Sequence, residues 1–402
     1  MHNGFMERVY DSILSKHLQT YRQMAFVSGP RQVGKTTTCR QLADHYLSWD
    51  VEEHRRGILQ GPASVGERLG LQKLQEQLPT VVFDELHKNP RWKSFLKGFF
   101  DLYEDDCRIV VTGSSRLDVF RKGGDSLMGR YFLFRMHPMT VAERLHPLPP
   151  STDVVRPPLS LGEEEWEALL QYGGFPEPLK LKDASFQLRW RKLRREQLIR
   201  EDIRDLTRIE DLPRLEMTTE LLAQRSGETL VFANLARDVG VSPHTLTSWV
   251  NTLCDFHHGF LVRPWHRNIS SALRKEPKWY VRDWSAITDT GKRFETFVAC
   301  HLFKAVQGWT DLGMGEFEVY YLRDKQQREV DFLVIRDGEP WFLVEAKHRD
   351  QRLNPALAYF QEKTNAPHAF QVVEKLSFVD SDPYMHTTPK VVPAKTLLSQ
   401  WL

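Results

Sequence analysis

Residues 29–36, Gly29-Pro30-Arg31-Gln32-Val33-Gly34-Lys35-Thr36, fit the spacing GxxxxGK[ST] and carry the residue types that a polyphosphate needs. The glycines let the backbone curl until successive N–H groups face phosphate oxygens, and Lys35 adds a mobile positive charge at the β- and γ-phosphates. The Thr36 hydroxyl, with Thr37 beside it, can ligate Mg2+. A second set, Val81-Val82-Phe83-Asp84-Glu85, is an apolar run ending in paired acids. A carboxylate at the tip of a buried strand needs a cation or hydrogen bonds, so Asp84 is expected at the Mg2+ shell. Glu85 is then the group to orient or deprotonate an attacking water. The blander reading is a strand running into a helix N-terminus, where the dipole favours acids.

A third run, Arg108-Ile109-Val110-Val111-Thr112, ends in Gly113-Ser114-Ser115. In ATPases with a strand inserted between the first two, the tip of this strand carries a polar residue that senses the γ-phosphate. Thr112 and Ser114 both suit that role, and small polar residues also end ordinary strands. Further along, 328–334 reads as a strand, Asp337-Gly338 as a turn and 341–347 as the hairpin partner. Asp331 then stands on one strand, with Glu345 and Lys347 on a single face of the next. Two carboxylates and a lysine so placed can hold Mg2+, position a water and stabilise the charge of phosphodiester hydrolysis, with Glu295 contributing from a helix packed on the sheet. Glu276-Pro277-Lys278 has the same Glu-x-Lys spacing, but only Glu345 is set in an apolar run. Gln361 reads either as a helix-borne helper or as a surface polar residue.

The order and spacing of GPRQVGKTT, YLSWD, VVFDELHK, VVTGSS and GRYFLFRMHPMTVAE, followed by YGGFPEPL, resemble the AAA-type ATPases that carry a carboxy-terminal domain of unknown function, over most of the chain. The resemblance implies ATP and Mg2+ as cofactors. It also implies that Arg130 reaches the ATP of a neighbouring subunit as a finger, and hence a homo-oligomer; as a surface residue leading into the strand 131–135, Arg130 would do neither. Arg31 belongs to the family's motif, with its role open. The hairpin bearing Asp331, Glu345 and Lys347 resembles the PD-(D/E)xK nuclease-like fold, although Val330 stands where that motif has proline. Domains of this kind also serve as binding platforms that cut nothing.

These residues require elements to hold them. Met24-Ala25-Phe26-Val27 suits a buried parallel strand ahead of the phosphate loop, and 36–43 lacks proline and glycine, as a helix after the loop must. Clustered prolines after His146 mark a boundary. Apolar positions at helical spacing over 184–206 predict a long helix of a lid over the nucleotide. That helix carries Arg189, Arg191, Lys192, Arg194, Arg195 and Arg200, either a phosphate-contacting surface or a solvated face paired with Glu196, Glu201 and Asp202. In 230–262 two helices flank Gly240, with Ser242-Pro243 capping the second. Phe260–Val262 and Trp279–Val281 would be the strands of a wing. The second helix offers His244, Thr245, Thr247, Ser248 and Asn251 but no Arg or Lys, whereas the wing segment offers Arg263, His266, Arg267, Arg274, Lys275 and Lys278. That distribution suits contact with a nucleic-acid backbone more than base readout, and a plain interaction module equally.

The 402 residues are 41% hydrophobic and 27% charged, which excludes disorder, collagen and a disulfide mini-protein. With 55 Lys+Arg against 53 Asp+Glu, the net charge of +2 names no partner. Four scattered cysteines form no CxxC, and no apolar run reaches a membrane span, so a cytoplasmic protein is expected. The fold class expected is α/β: a P-loop core with parallel sheet over 1–146, a helical lid over 147–212, a winged helix over 213–285 and a PD-(D/E)xK-like domain over 286–402. The function expected is an ATPase acting on DNA, in repair, recombination or defence, with Mg2+-dependent cleavage as a second activity. The alternative is a nucleotide switch or scaffold whose last domains bind protein.

Overall fold

The computed structural model describes residues 6–113, 127–150, 153–204, 207, 209–265 and 276–402, in two compact units. The first comprises Met1–His137 with Pro147–Pro149, and the second Pro138–His146 with Pro150–Leu402.

The first unit begins with α1 (Val9–Thr20), β1 (Met24–Ser28), α2 (Lys35–Gln41), β2 (His45–Ser48), α3 (Glu52–Leu59) and α4 (Pro62–Leu69). It continues with β3 (Thr80–Asp84), α5 (Trp92–Tyr103), β4 (Arg108–Thr112) and β5 (Tyr131–Arg135). The strands form one parallel sheet in the order β2-β3-β4-β1-β5. β4 is thus the strand inserted between the phosphate-loop strand and the acidic strand. Every residue of β1 is buried, which is why Met24–Val27 form an apolar run and not an alternation. Phe83 is wedged edge-on against Phe95 and Phe99 of α5, fixing the strand that ends in Asp84.

The second unit opens with α6 (Val141–Leu145), α7 (Glu163–Tyr172), α8 (Pro176–Leu181) and α9 (Ala184–Gln197), which runs into a π-helical turn at Leu198–Ile203. Then come α10 (Leu212–Gln224), α11 (Phe232–Val239) and α12 (Pro243–Asp255). Gly240 ends α11 in the left-handed region at φ 77°, and the Ser242 side chain accepts the Thr245 N–H to start α12, as the sequence predicts. The helices close on one core that includes Leu198, Ile203, Leu215, Leu235, Leu246 and Val250.

The remaining elements are β6 (Gly259–Pro264), β7 (Lys278–Val281), α13 (Thr290–Asp311), β8 (Phe317–Arg323), β9 (Glu329–Arg336), β10 (Glu339–Lys347), α14 (Pro355–Thr364), β11 (His368–Val373), β12 (Lys390–Pro393) and α15 (Ala394–Ser399). β6 and β7 pair antiparallel as expected of a wing, but they are not a separate ribbon. They complete a seven-stranded sheet, β12-β11-β10-β9-β8-β6-β7, through parallel pairing of Arg263 and Pro264 with Tyr320 and Tyr321. Asp337 and Gly338, both at positive φ, make the turn between β9 and β10.

α6 is tied into this unit by buried polar contacts. Glu143 and Lys304 form an ion pair with both side chains at 0% exposure. The Val141 N–H donates to His301 Nε2 at 3.0 Å, while His301 Nδ1 lies 2.7 Å from the Phe297 carbonyl.

Candidate functional site

The phosphate loop takes its curl from backbone that few residues tolerate. Gly29 lies so close to β5 that a Cβ there would stand 2.3 Å from the Met136 carbonyl oxygen, and Gly34 sits at φ 108°. Lys35, buried at the start of α2, turns back and donates to the carbonyls of Gly29 and Pro30 at 2.7 and 2.9 Å. Its charge is therefore already aimed into the loop. The buried Arg8, which sequence reasoning missed, braces the loop from behind by donating to the carbonyls of Val33 and His137. Thr36 and Thr37 are exposed on the first turn of α2.

Asp84 ends β3 beside Thr112 of β4, in register. Its two oxygens accept the hydroxyls of Thr112 and Tyr46. Thr112 is thus engaged with the acidic strand, which gives it a defined place at the site; Ser114 lies outside the described residues. Tyr46 was not foreseen, because the contact spans 38 positions of sequence. Glu85 follows in the left-handed region at φ 55°, an unusual conformation for a non-glycine residue and one that functional sites retain. Burial pushes its carboxyl up, and Lys35 and Lys88 pull it part of the way back. The chain's own donors to a cation here, the Thr36 hydroxyl and the Asp84 carboxylate, are hard oxygens that fit Mg2+, which characteristically takes its other ligands from water and nucleotide phosphate. Arg130 is held by Asp101, Nε to Oδ1 at 2.8 Å and a second bond at 3.3 Å.

The carboxy-terminal residues also come together. Asp331 on β9 and Glu345 on β10 are neighbours, the Asp331 N–H donating to Glu345 Oε2 at 3.3 Å and the Ala346 N–H to Asp331 Oδ2 at 3.0 Å. Lys347 Nζ is 2.8 Å from Glu345 Oε1, which also accepts from Asn354. Glu295 of α13 joins them. At the centre is Lys278, expected among the wing's nucleic-acid contacts but buried here and out of reach of one. It is fully embedded in β7, and its ammonium lies 2.7 Å from Glu329, 3.1 Å from Asp331 and 3.2 Å from Glu295. Burial alone would lower Lys278, but Tyr280, Asp331, Glu295 and Glu329 outweigh it and hold the ammonium well above the usual lysine range. Burial and the Asp331 charge push Glu295 up to about 7, against Lys278 and the Tyr280 hydroxyl that donates to it. Burial and Asp331 likewise raise Glu345. These residues do not fit a divalent metal: the buried Lys278 ammonium already stands among Glu295, Glu329 and Asp331, and the Lys347 ammonium is on Glu345. Gln361 takes no part. Its amide donates to the carbonyls of Ala366, Pro367 and Thr387, tying down a loop.

The basic helix is largely spent inside the chain. Arg191 donates to the Ser285 carbonyl, Arg194 stacks on Phe175 with 4.0 Å to the ring centroid, and Arg195 and Arg200 pair with Glu220 and Glu216. Two of these partners, Glu216 and Glu220, come from α10. On α12, His244, Ser248 and Asn251 are exposed, while His266, Arg267, Arg274 and Lys275 of the wing segment lie outside the described residues.

Comparison with known proteins agrees with the first of these sites. Residues 21–145 match the family model of an AAA domain. The findings support a P-loop ATPase. Residues 163–289 and 290–397 match two domains of unknown function, DUF8612 and DUF4143. Two proteins described as uncharacterized, one of Mycobacterium bovis and one of Mycobacterium tuberculosis, are each 22% identical over 335 residues, covering 79% of this chain and 69% of theirs. Among solved structures, a signal transduction ATPase with numerous domains and a tetratricopeptide repeat sensor, from Pyrococcus horikoshii, has a TM-score of 0.27 at 10% identity. That match covers 78% of this chain and 48% of the other. Among the described residues no helix is long and apolar enough to cross a membrane.

Proposed function

We infer that this chain is a Mg2+-dependent ATPase of the AAA type that works as a nucleotide-driven switch, its second unit engaging a macromolecular partner. One observation carries the reading: the curled loop with inward-turned Lys35 and the Asp84-Glu85 pair end β1 and β3 of a single parallel sheet, with Thr112 of the intervening β4 bonded to Asp84. Bound phosphates would replace the carbonyls of Gly29 and Pro30 at the Lys35 ammonium. Thr36 and Asp84 would hold Mg2+, which neutralises charge on the phosphates when bound. Glu85 would orient the attacking water and take its proton. The Thr112 hydroxyl ties Asp84 to β4, so a change at the metal ligand is felt at the tip of that strand.

In this reading Arg130 leaves Asp101 to serve the ATP of a neighbouring copy, and the chain works as a homo-oligomer. Mixing Arg130→Ala with Lys35→Ala subunits tests both ideas. Each variant alone is expected to be nearly inactive, and an equal mixture to recover up to about a quarter of the parental ATPase rate, the share of sites that combine an intact loop with an intact finger. Absence of rescue at every ratio removes the trans-acting finger.

Action on DNA is the second reading, favoured by the α11–α12 pair and the exposed polar face of α12. Duplex binding that weakens steeply as salt rises supports it; salt-insensitive or absent binding leaves the switch. Cleavage is left out of both readings, because the carboxylates around Asp331 do not fit a metal.

A further inference from the structure

We propose that Lys278 is a resident cation, holding the place a divalent ion would need among Glu295, Glu329 and Asp331 and turning a nuclease-like constellation into a metal-free ion-pair staple. An ammonium has three N–H donors, and three carboxylates stand at 2.7, 3.1 and 3.2 Å, so its hydrogen-bonding capacity is met in full. The side chain is 3% exposed and cannot swing to solvent without unthreading β7. That strand is fastened on both flanks: Lys278 pairs with Val262 of β6, the Gly227 N–H donates to the Trp279 carbonyl, and the Tyr321 hydroxyl donates to the Glu276 carbonyl.

The acids are oriented toward this ammonium by further donors. Tyr280 donates to Glu295 Oε1 and the Ala346 N–H to Asp331 Oδ2, while Arg323 lies 3.7 Å from Glu329. With Lys347 on Glu345, three cations face four carboxylates. A divalent ion bridging Asp331 and Glu345 would stand beside two ammonium groups, Lys278 on Asp331 and Lys347 on Glu345. The contacts join β7, β9 and α13, so the staple fastens the end of the 163–289 segment to the sheet of the 290–397 segment. The proposal is independent of the ATP site.

The test is Mn2+ binding by the full-length, nucleotide-free protein, read by electron paramagnetic resonance, in the parent, Asp331→Asn, Lys278→Met and the Lys278→Met/Asp331→Asn double variant. The parent and Asp331→Asn are expected to bind Mn2+ alike. Lys278→Met is expected to gain one site per chain, lost again in the double variant, and to have its thermal midpoint raised by Mn2+. A parental Mn2+ site removed by Asp331→Asn or Glu345→Gln overturns the proposal, as does a folded Lys278→Met that gains no site. If Lys278→Met does not fold, the comparison of the parent with Asp331→Asn and Glu345→Gln decides: equal binding upholds the resident cation, and loss in either variant overturns it.

Discussion

Replacing Glu85 by glutamine is expected to leave ATP binding intact and to slow ATP turnover by about 10²- to 10⁴-fold, the usual contribution of a positioned general base. Glutamine keeps the shape and can still accept a hydrogen bond from water, but it cannot take a proton. The residue is placed for this task by its left-handed backbone immediately after Asp84, and its N–H is anchored on the Thr112 carbonyl at 3.0 Å. Because burial raises its carboxyl, the parental rate should climb as pH rises through that raised value and level off once the group is ionised. The Glu85→Gln rate should lack that limb. Lys35→Ala, by contrast, is expected to lose ATP binding itself, which fluorescence of a labelled nucleotide would read. An unchanged turnover rate in Glu85→Gln would place the base elsewhere.

The largest effect on stability is expected at the Glu143–Lys304 pair. Both side chains are fully buried, so removing one partner strands a charge away from water and should cost about 3–5 kcal/mol in urea unfolding. The double replacement Glu143→Leu/Lys304→Met should recover most of the loss, since two apolar groups need no partner. A double variant as unstable as Lys304→Met alone would show that shape, not charge, is what matters there. The neighbouring His301 adds a pH dependence. Burial, with the charge of Lys304, pushes its ring down to about 3 from an ordinary value of 6.5, although the Phe297 carbonyl works the other way. Between those values the unfolded chain binds the extra proton, so the contribution is complete above about pH 6.5 and is lost as pH falls toward 3. His301→Gln should flatten that part of the profile.

The arrangement of the phosphate loop, Asp84 and Thr112 was legible because parallel strands buried on both faces advertise themselves as short apolar runs, and because these residues lie at their tips. Met24–Ser28, Thr80–Asp84 and Arg108–Thr112 needed no knowledge of distant partners. What escaped was set by contacts far apart in sequence. Tyr46 meets Asp84 across 38 positions and Lys278 meets Asp331 across 53, separations that no periodicity reports. Lys278 reads in the sequence as one of the basic residues of a wing, because Glu276-Pro277 breaks the apolar run ahead of it, although Trp279, Tyr280 and Val281 behind it are all buried in β7. The sequence offers Arg195 and Arg200 either a phosphate or the acids of their own helix, whereas packing against α10 supplies Glu220 and Glu216. Helical spacing shows which residues share a face, not which neighbour covers it.

The continuous sheet of the second unit bears on heredity. Two family models meet between residues 289 and 290, yet β6 from one side, carrying β7 on its outer edge, pairs with β8 of the other. A recombination joint at that seam would strip β8 of one of its two neighbours and leave β6 and β7 as a lone two-stranded ribbon, marginally stable in water, with unpaired backbone along its edge. Shuffling could swap either segment only for one that presents a matching strand edge. The two are therefore expected to descend together, and to vary together at positions 263–264 and 320–321.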